Sequence, residues 1–288
     1  MTRILVLGDL NLDVHVDDRT IAAGHEVRAA VRVAPGGSAA TFARIAAQLG
    51  AKVTFFGAVG DDLLGELLER SLDKAGVVPR LARSQLPSGA VVALRRGAER
   101  SMICARGAND ALSTADLDAA DFSGAQLLHV SGYAFLSPSP SAAAQRAIAL
   151  ARAAGARVSV DPPPANLIEA FGLDAMRRLL ASADWLFPNE SEGRAITGEG
   201  RAAQMADALA VRHAHGAVKL GPRGALAWRG EERYRSSPMD PLDVDPTGAG
   251  DAFAAGFAVA TLAGATLAEA TERATSSARD HLAARLST

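Results

Sequence analysis

The chain has 288 residues, 49% hydrophobic and 22% charged, an ordinary globular composition with ample apolar mass for a large core. A formal net charge of −2 and a pI near 6.3 exclude a broad basic footprint for nucleic acid or an anionic membrane. One cysteine, Cys104, excludes an internal disulfide framework and a cysteine zinc site.

The opening run 1-MTRILVLGDL-10 is too short and too soon polar for a signal peptide, and no stretch is long enough to span a bilayer. The expected location is cytoplasmic, with the sequon at Asn189-Glu190-Ser191 a chance match. Residues 3–8 read as a buried strand, 37–49 as an Ala-rich helix ending at Gly50, 52–57 as a strand and 63–75 as a helix stopped by Gly76. Strand 126–130, helix 139–154, and strands 157–160 and 184–187 follow. Helix 201–213, strand 217–220 and helices 249–263 and 267–285 complete the chain. This alternation predicts an α/β fold of three layers, with a mostly parallel sheet between helices. Residues 26–33 alternate loosely, and 90–95 with 100–105 read as a hairpin around 96-RGAE-99. No helix separates these strands, so they predict a small β-lid from insertions at about 14–34 and 88–106, on a single domain spanning 1–288.

Several chemistries drop out. There is no G-x-x-x-x-G-K-[ST] loop, and the first strand runs into 8-GDLNLD-13 instead of a G-x-G-x-x-G turn. The near match 36-GGSAA-40 lacks the second glycine of a nucleophile elbow, so Ser38 is a poor nucleophile candidate. The histidines show no metal spacing, and His213 and His215 are read as surface or structural residues.

Polar residues gather at three strand ends, where ligands bind in open α/β sheets. In 8-GDLNLD-13, Asn11 and Asp13 share one face of an extended chain and either grip hydroxyls or form a polar turn. In 35-PGGSAATFA-43, Gly36 and Gly37 admit a ligand close to backbone, or the stretch is a plain loop with Ser38 as N-cap. In 243-DVDPTGAGDAFAAGFAVA-260, Asp251 stands at a helix entrance and either caps the helix or serves as a base beside a bound anion.

The stretch 245-DPTGAGDAFAAGFA-258 resembles the C-terminal signature of the ribokinase-like (PfkB) carbohydrate kinases. The segment 36-GGSAATFARIAAQLGAKVTFFGAVGDDLLG-65 resembles their N-terminal pattern, 188-PNESE-192 their N-x-x-E motif, and 219-KLGPRGA-225 their nucleotide-loop strand and turn. Four motifs in the family's order cover nearly the whole chain. The resemblance implies transfer of the ATP γ-phosphate to a hydroxymethyl group, with Asp251 as base and Gly248, Ala249 and Gly250 as an anion hole. A carboxylate of ordinary pKa is expected to suffice as base. Asn11, Asp13, Gly36, Gly37, Thr41 and Asp245 match sugar-contacting places, and Arg106 either reaches the substrate or lies on the surface. Asn189 and Glu192 match residues that organise water-bound Mg²⁺ and the ATP phosphates, the alternative for Glu192 being a solvated helix face. Gly221 and Gly224 match the adenine and ribose loop. Asp245 and Thr247 stand where many relatives bind a monovalent cation such as K⁺.

Two departures stand out. Thr41 replaces the usual sugar-bonding Asn, and Lys219 stands where relatives often carry Thr, either adding a phosphate contact or pointing to solvent. The prolines after Asp161 also lack the N-x-R pattern of ketodeoxygluconate kinases. The expected substrate is a free sugar or sugar acid, with a nucleoside as alternative and a non-catalytic sensor as a rival from another class. Neither 26–33 nor 90–105 contains an aromatic to stack a base, leaving Phe42, Tyr133 and Phe135 as candidate pocket walls. The lid is expected to pair two subunits in a homodimer.

Overall fold

A computed structural model describes residues 2–17, 26, 28–96, 99–242 and 244–285. Parts of both expected lid insertions, residues 18–25, 27 and 97–98, lie outside the described residues. The chain begins with β1 (Arg3–Leu7), β2 (Asn11–Asp17) and β3 (Val31–Gly36), then α1 (Ser38–Gln48), β4 (Lys52–Gly60), α2 (Leu63–Lys74) and β5 (Val77–Ser84). The hairpin β6 (Gly89–Arg96) and β7 (Glu99–Ala105) follows, and then β8 (Leu127–Ser131), α3 (Pro138–Ala153) and β9 (Arg157–Asp161). Helices α4 (Ala165–Phe171) and α5 (Leu173–Leu180) lead to β10 (Trp185–Leu186), α6 (Glu190–Thr197), α7 (Ala202–Ala210) and β11 (His215–Lys219). The hairpin β12 (Ala225–Arg229) and β13 (Glu232–Arg235) and the long helices α8 (Ala249–Leu262) and α9 (Leu267–Ala284) end the described chain.

The main sheet has nine strands in the order β13-β12-β11-β10-β9-β8-β1-β4-β5. All neighbours are parallel except the antiparallel pairs β11–β12 and β12–β13. Strand β1 explains why the central strands are apolar throughout: Ile4 and Val6 join one buried cluster with Phe42 and Phe257, whereas Leu5 and Leu7 join the opposite one with Phe135 and Ile148. Period-2 geometry then buries both faces under helices. Strand order reverses at β1, with β8 on one side and β4 on the other. The carboxyl edge there is where ligands bind in such sheets.

The second sheet has the order β3-β2-β6-β7, with β2 and β6 parallel and the other pairs antiparallel. The strand expected at 26–33 is displaced to Val31–Gly36, because Pro35 and Gly36 continue the pairing opposite Leu12 and Asn11. Strand β5 escapes the sequence patterns because Pro79 and three polar residues interrupt it at the sheet edge. Helix α7 stops at Ala210, so His213 and His215 are not helical. His213 donates to the Ala183 carbonyl (2.9 Å) in the interior, and His215 opens β11.

Candidate active site

Three neighbouring strands deliver charge to one edge. Asp161 ends β9, Asn189 follows β10, and Lys219 ends β11, bridged to Asn189 through the backbone. The Lys219 ammonium lies 2.6 and 2.9 Å from the Asp161 carboxylate oxygens, with both side chains almost fully buried. Burial opposes the charge on Lys219, but Asp161 and Glu192 outweigh it and hold its pKa above the ordinary lysine value. Asn189 and Glu192 form a reciprocal capping box at the start of α6: Asn189 Oδ1 accepts from the Glu192 N–H (2.9 Å), and Glu192 accepts from the Asn189 N–H (2.8 Å) and Nδ2 (2.6 Å). Glu192 is only 7% exposed, which overturns the solvated-face alternative. Burial pushes its pKa up to about 8, against the opposing pull of Lys219.

Helix α8 points its N-terminus at this cluster. Gly248 is its N-cap at φ 83°, a left-handed conformation that favours glycine. The first-turn N–H groups have no acceptors within the helix. That of Ala249 is turned onto the Pro246 carbonyl (3.1 Å), so it is committed in this state. A Cβ on Gly250 would stand 3.0 Å from Lys219 Nζ, placing that ammonium directly against the first turn. Asp251 is half-buried at this turn and accepts a 2.7 Å hydrogen bond from Ser38 Oγ. Ser38 thus serves Asp251 and does not cap α1, where the Asp9 carboxylate accepts the Ser38 N–H instead (2.8 Å). Burial and the nearby Asp161 raise the Asp251 pKa well above an ordinary carboxylate, with Ser38 and Lys219 opposing.

The adjoining wall comes from β2, β3 and α1. Asn11 Oδ1 accepts from Asn109 Nδ2 (2.7 Å), while Asn109 Oδ1 accepts the Leu10 N–H (2.9 Å), so Asn109 fixes the entry to β2. Asp13 lies over Gly36 so closely that a Cβ there would come within 2.1 Å of its carboxylate. Burial raises the Asp13 pKa to about 6, with His15 opposing. Thr41 is buried, and its hydroxyl accepts from Arg44 Nη2 (3.1 Å), which also donates to the Pro35 carbonyl (3.0 Å). Arg106 donates to Asp110 (2.6 Å) at the end of β7. A separate, mostly apolar cleft of about 180 Å³ opens between the Gly221–Gly224 loop and α8–α9, with Lys219, Gly250 and Leu282 in its walls.

A family model described as pfkB family carbohydrate kinase matches residues 1–279. The chain belongs to that family. A ribokinase of Arabidopsis thaliana is 31% identical over 283 residues, covering 91% of this chain and 71% of that one. The adenosine kinase of Sinorhizobium meliloti shares the fold at a TM-score of 0.88 and 24% identity, over 100% of this chain and 99% of that one. An E. coli protein solved in complex with ATP and Mg²⁺ superposes at a TM-score of 0.84 and 21% identity, over 96% and 91%. This chain is accordingly an ATP-dependent phosphotransferase of the PfkB carbohydrate kinase family with the ribokinase-like fold.

Against that background, the kinase brings Asp251, Gly250, Lys219, Asn189 and Glu192 to one edge, and Asn11, Asp13, Gly36 and Thr41 to the wall beside it. Asp245 is drawn elsewhere, its carboxylate taken by Thr247, His15 and Arg285. The solvent-pointing alternative for Lys219 is overturned by its bond to Asp161. Phe42 and Phe135 are core residues at 0% and 1% exposure, which leaves Tyr133, half-buried, as the one candidate of the three that is not core. Sequence reading passed over Asp9, Asn109, Arg44 and the Asp161 pairing. Asp9 carried a signal, an acidic residue directly after a strand, whereas Arg44 carried none beyond its place in a buried helix.

Proposed function

We propose that this kinase transfers the γ-phosphoryl group of ATP to the hydroxymethyl group of a free sugar or sugar acid, with Asp251 as the base. The observation that carries the reading is the half-buried Asp251 at the N-terminal turn of α8, bonded to Ser38, with the Lys219 ammonium against Gly250. Phosphoryl transfer needs positioning and charge neutralisation more than covalent help. The N–H groups of Gly248 and Gly250 and the α8 dipole suit the transferring phosphoryl group, and Lys219 adds a fixed positive charge beside it. Ser38 donates to one oxygen of Asp251 and so orients the other towards an incoming hydroxyl, whose proton Asp251 accepts.

Among the described residues, no group of three or more His, Cys, Asp or Glu side chains is disposed to hold a metal ion. Mg²⁺ characteristically keeps several waters and takes its remaining ligands from one or two carboxylates and substrate phosphates. Glu192, steadied by Asn189 through the capping box, would hold such a hydrated ion through its waters once ionised; burial raises its pKa to about 8, and a cation alongside would offset that cost and favour the carboxylate. Mg²⁺ would supply neutralisation of phosphate charge there. The mostly apolar cleft beside Gly221 and Gly224 suits the apolar faces of an adenine and ribose.

Asn11, Asp13 and the backbone at Gly36 and Gly37 would bind acceptor hydroxyls, with Arg106 at the rim and Thr41 shaping the pocket in place of Asn. The described lid strands carry no Phe, Tyr or Trp, which favours a sugar over a nucleoside. The outer lid residues Val31, Val33 and Ile103 are 58%, 55% and 63% exposed, and we assign them to contact with a second subunit. No helix among the described residues is long and apolar enough to cross a membrane.

The test is ADP release with MgATP against pentoses, hexoses, keto-sugar acids and nucleosides. A sugar or sugar acid well above background supports the reading. A nucleoside as sole acceptor moves the activity to nucleosides, and ATP binding without turnover on any acceptor favours a sensor.

A further inference from the structure

The loop leading into α8 holds a cluster of oxygens that the proposed phosphoryl transfer does not use. Asp245 Oδ1 accepts from the Thr247 N–H (3.0 Å) and hydroxyl (2.6 Å), folding the loop on itself. Asp245 Oδ2 faces His15 Nδ1 at 2.7 Å and Arg285 Nη2 at 3.7 Å. The Thr247 carbonyl accepts from Arg285 Nη1 and from His281 Nε2 (3.2 Å). Arg285 Nη2 also donates to His15 Nε2 (3.0 Å), tying β2, the loop and the end of α9 together. Arg285 and Asp245 are 13% and 14% exposed, so this cluster is largely shielded from solvent.

These are the residues at which the family resemblance implies a monovalent cation, and the arrangement does not fit one. A potassium site offers oxygens that replace the ion's hydration shell. Here the Thr247 carbonyl already takes two N–H donors, and Asp245 is taken on both carboxylate oxygens. A guanidinium is permanently charged and weakly hydrated, and at this distance it would repel a second cation in a low-dielectric setting. Helix α9 makes the arrangement possible by continuing past the loop and delivering His281 and Arg285 one turn apart. The fit is tight, since a Cβ on Gly248 would come within 2.5 Å of His281 Nε2.

We infer that Arg285 is a built-in substitute for the monovalent cation, so that the kinase works without K⁺. The guanidinium neutralises Asp245 and the Thr247 carbonyl, and thereby fixes the loop that sets Gly248 and the N-terminal turn of α8. Arg285 touches neither proposed substrate and is a positioning residue. Because the guanidinium is covalently attached, the loop loses no entropy to capturing an ion from solution.

The turnover arm of the test rests on the kinase reading, and the remaining arms do not. Wild-type ADP release should be the same, within about twofold, in potassium, sodium or choline chloride at fixed ionic strength. Its thermal midpoint should be equal in the three salts, and crystals soaked in thallium(I) should show no anomalous peak between Asp245 and Thr247. Arg285→Met should lower kcat about 10–100-fold with little change in acceptor KM, as expected when a loop beside the reacting centre is misplaced. It should also gain stimulation by K⁺ over choline, which general destabilisation would not produce, whereas Arg285→Lys should retain most activity. Stimulation of the wild type by K⁺ of about fivefold or more, a thallium peak at the cluster, or wild-type kcat in Arg285→Met would overturn the inference. If no acceptor is found, the thermal and thallium measurements still decide it. If Arg285→Met fails to fold, Arg285→Lys and the wild-type salt series carry the test.

Discussion

Replacing Lys219 by Met removes the ammonium while keeping most of the side-chain volume, so the perturbation is mainly one of charge. It strands Asp161, which is 5% exposed and bonded to Lys219 at 2.6 and 2.9 Å. Losing one partner of a buried ion pair typically costs about 3–5 kcal/mol. Asp161 can instead take up a proton, and from an unfolded value of 3.8 that costs about 1.4 kcal/mol per pH unit, or about 4 kcal/mol at pH 7. At pH 5 the same escape costs only about 1.6 kcal/mol. The stranded group binds more protons folded than unfolded, so the stability lost at pH 7 should return as pH falls towards 4. Urea unfolding of wild type, Lys219→Met, Asp161→Asn and the double variant, at pH 5 and pH 7, reads each of these. The double variant should recover about 2–3 kcal/mol of the Lys219→Met loss at pH 7. A Lys219→Met loss under about 1 kcal/mol, or one independent of pH, would refute the pairing as the source of stability.

Asp251→Asn should lower kcat about 10²–10⁴-fold with ATP affinity nearly unchanged, measured by ADP release and isothermal titration. Gly36→Ala drives a Cβ to within 2.1 Å of the Asp13 carboxylate, so it should raise acceptor KM and cost about 1–3 kcal/mol in urea unfolding, leaving ATP binding intact. With the Asp13 pKa raised to about 6, acceptor KM should climb as pH falls through 6, and Asp13→Asn should flatten that climb. The Glu192 pKa of about 8 lies above its unfolded 4.5, so the ligand-free protein loses stability as pH rises from 4.5 to 8. Thermal melts of Glu192→Gln should show a shallower decline over the same interval.

The sequence reached far into the fold where physics is local. Apolar runs such as 4-ILVL-7, set in alternation with helical runs, point to strands buried on both faces, and the Ala-rich run after Gly37 points to a tightly packed helix. Antiparallel β12 and β13 were not legible, because β13 (ERYR) is a short edge strand without an apolar signature and β12 (ALAWR) is too short an apolar run to be told from a turn of helix. Within the site, Asp251 was legible from its place at a helix entrance after the Gly-Ala-Gly turn, whereas Asn189 and Glu192 were reached through the family resemblance and their reciprocal capping box was not foreseen. The Lys219–Asp161 bond and the Arg285–Thr247 contact were not legible. They join residues 58 and 38 positions apart, and only the order of strands and helices brings them together.

The most direct test of the account is a single-turnover experiment with γ-³²P-labelled ATP and the acceptor identified by ADP release, comparing wild type with Asp251→Asn. Wild type should place label on a primary hydroxyl of a sugar or sugar acid, and Asp251→Asn should place almost none although ATP remains bound. Equal transfer by the two proteins would contradict the role of Asp251, and bound but intact ATP in the wild type would contradict catalysis itself.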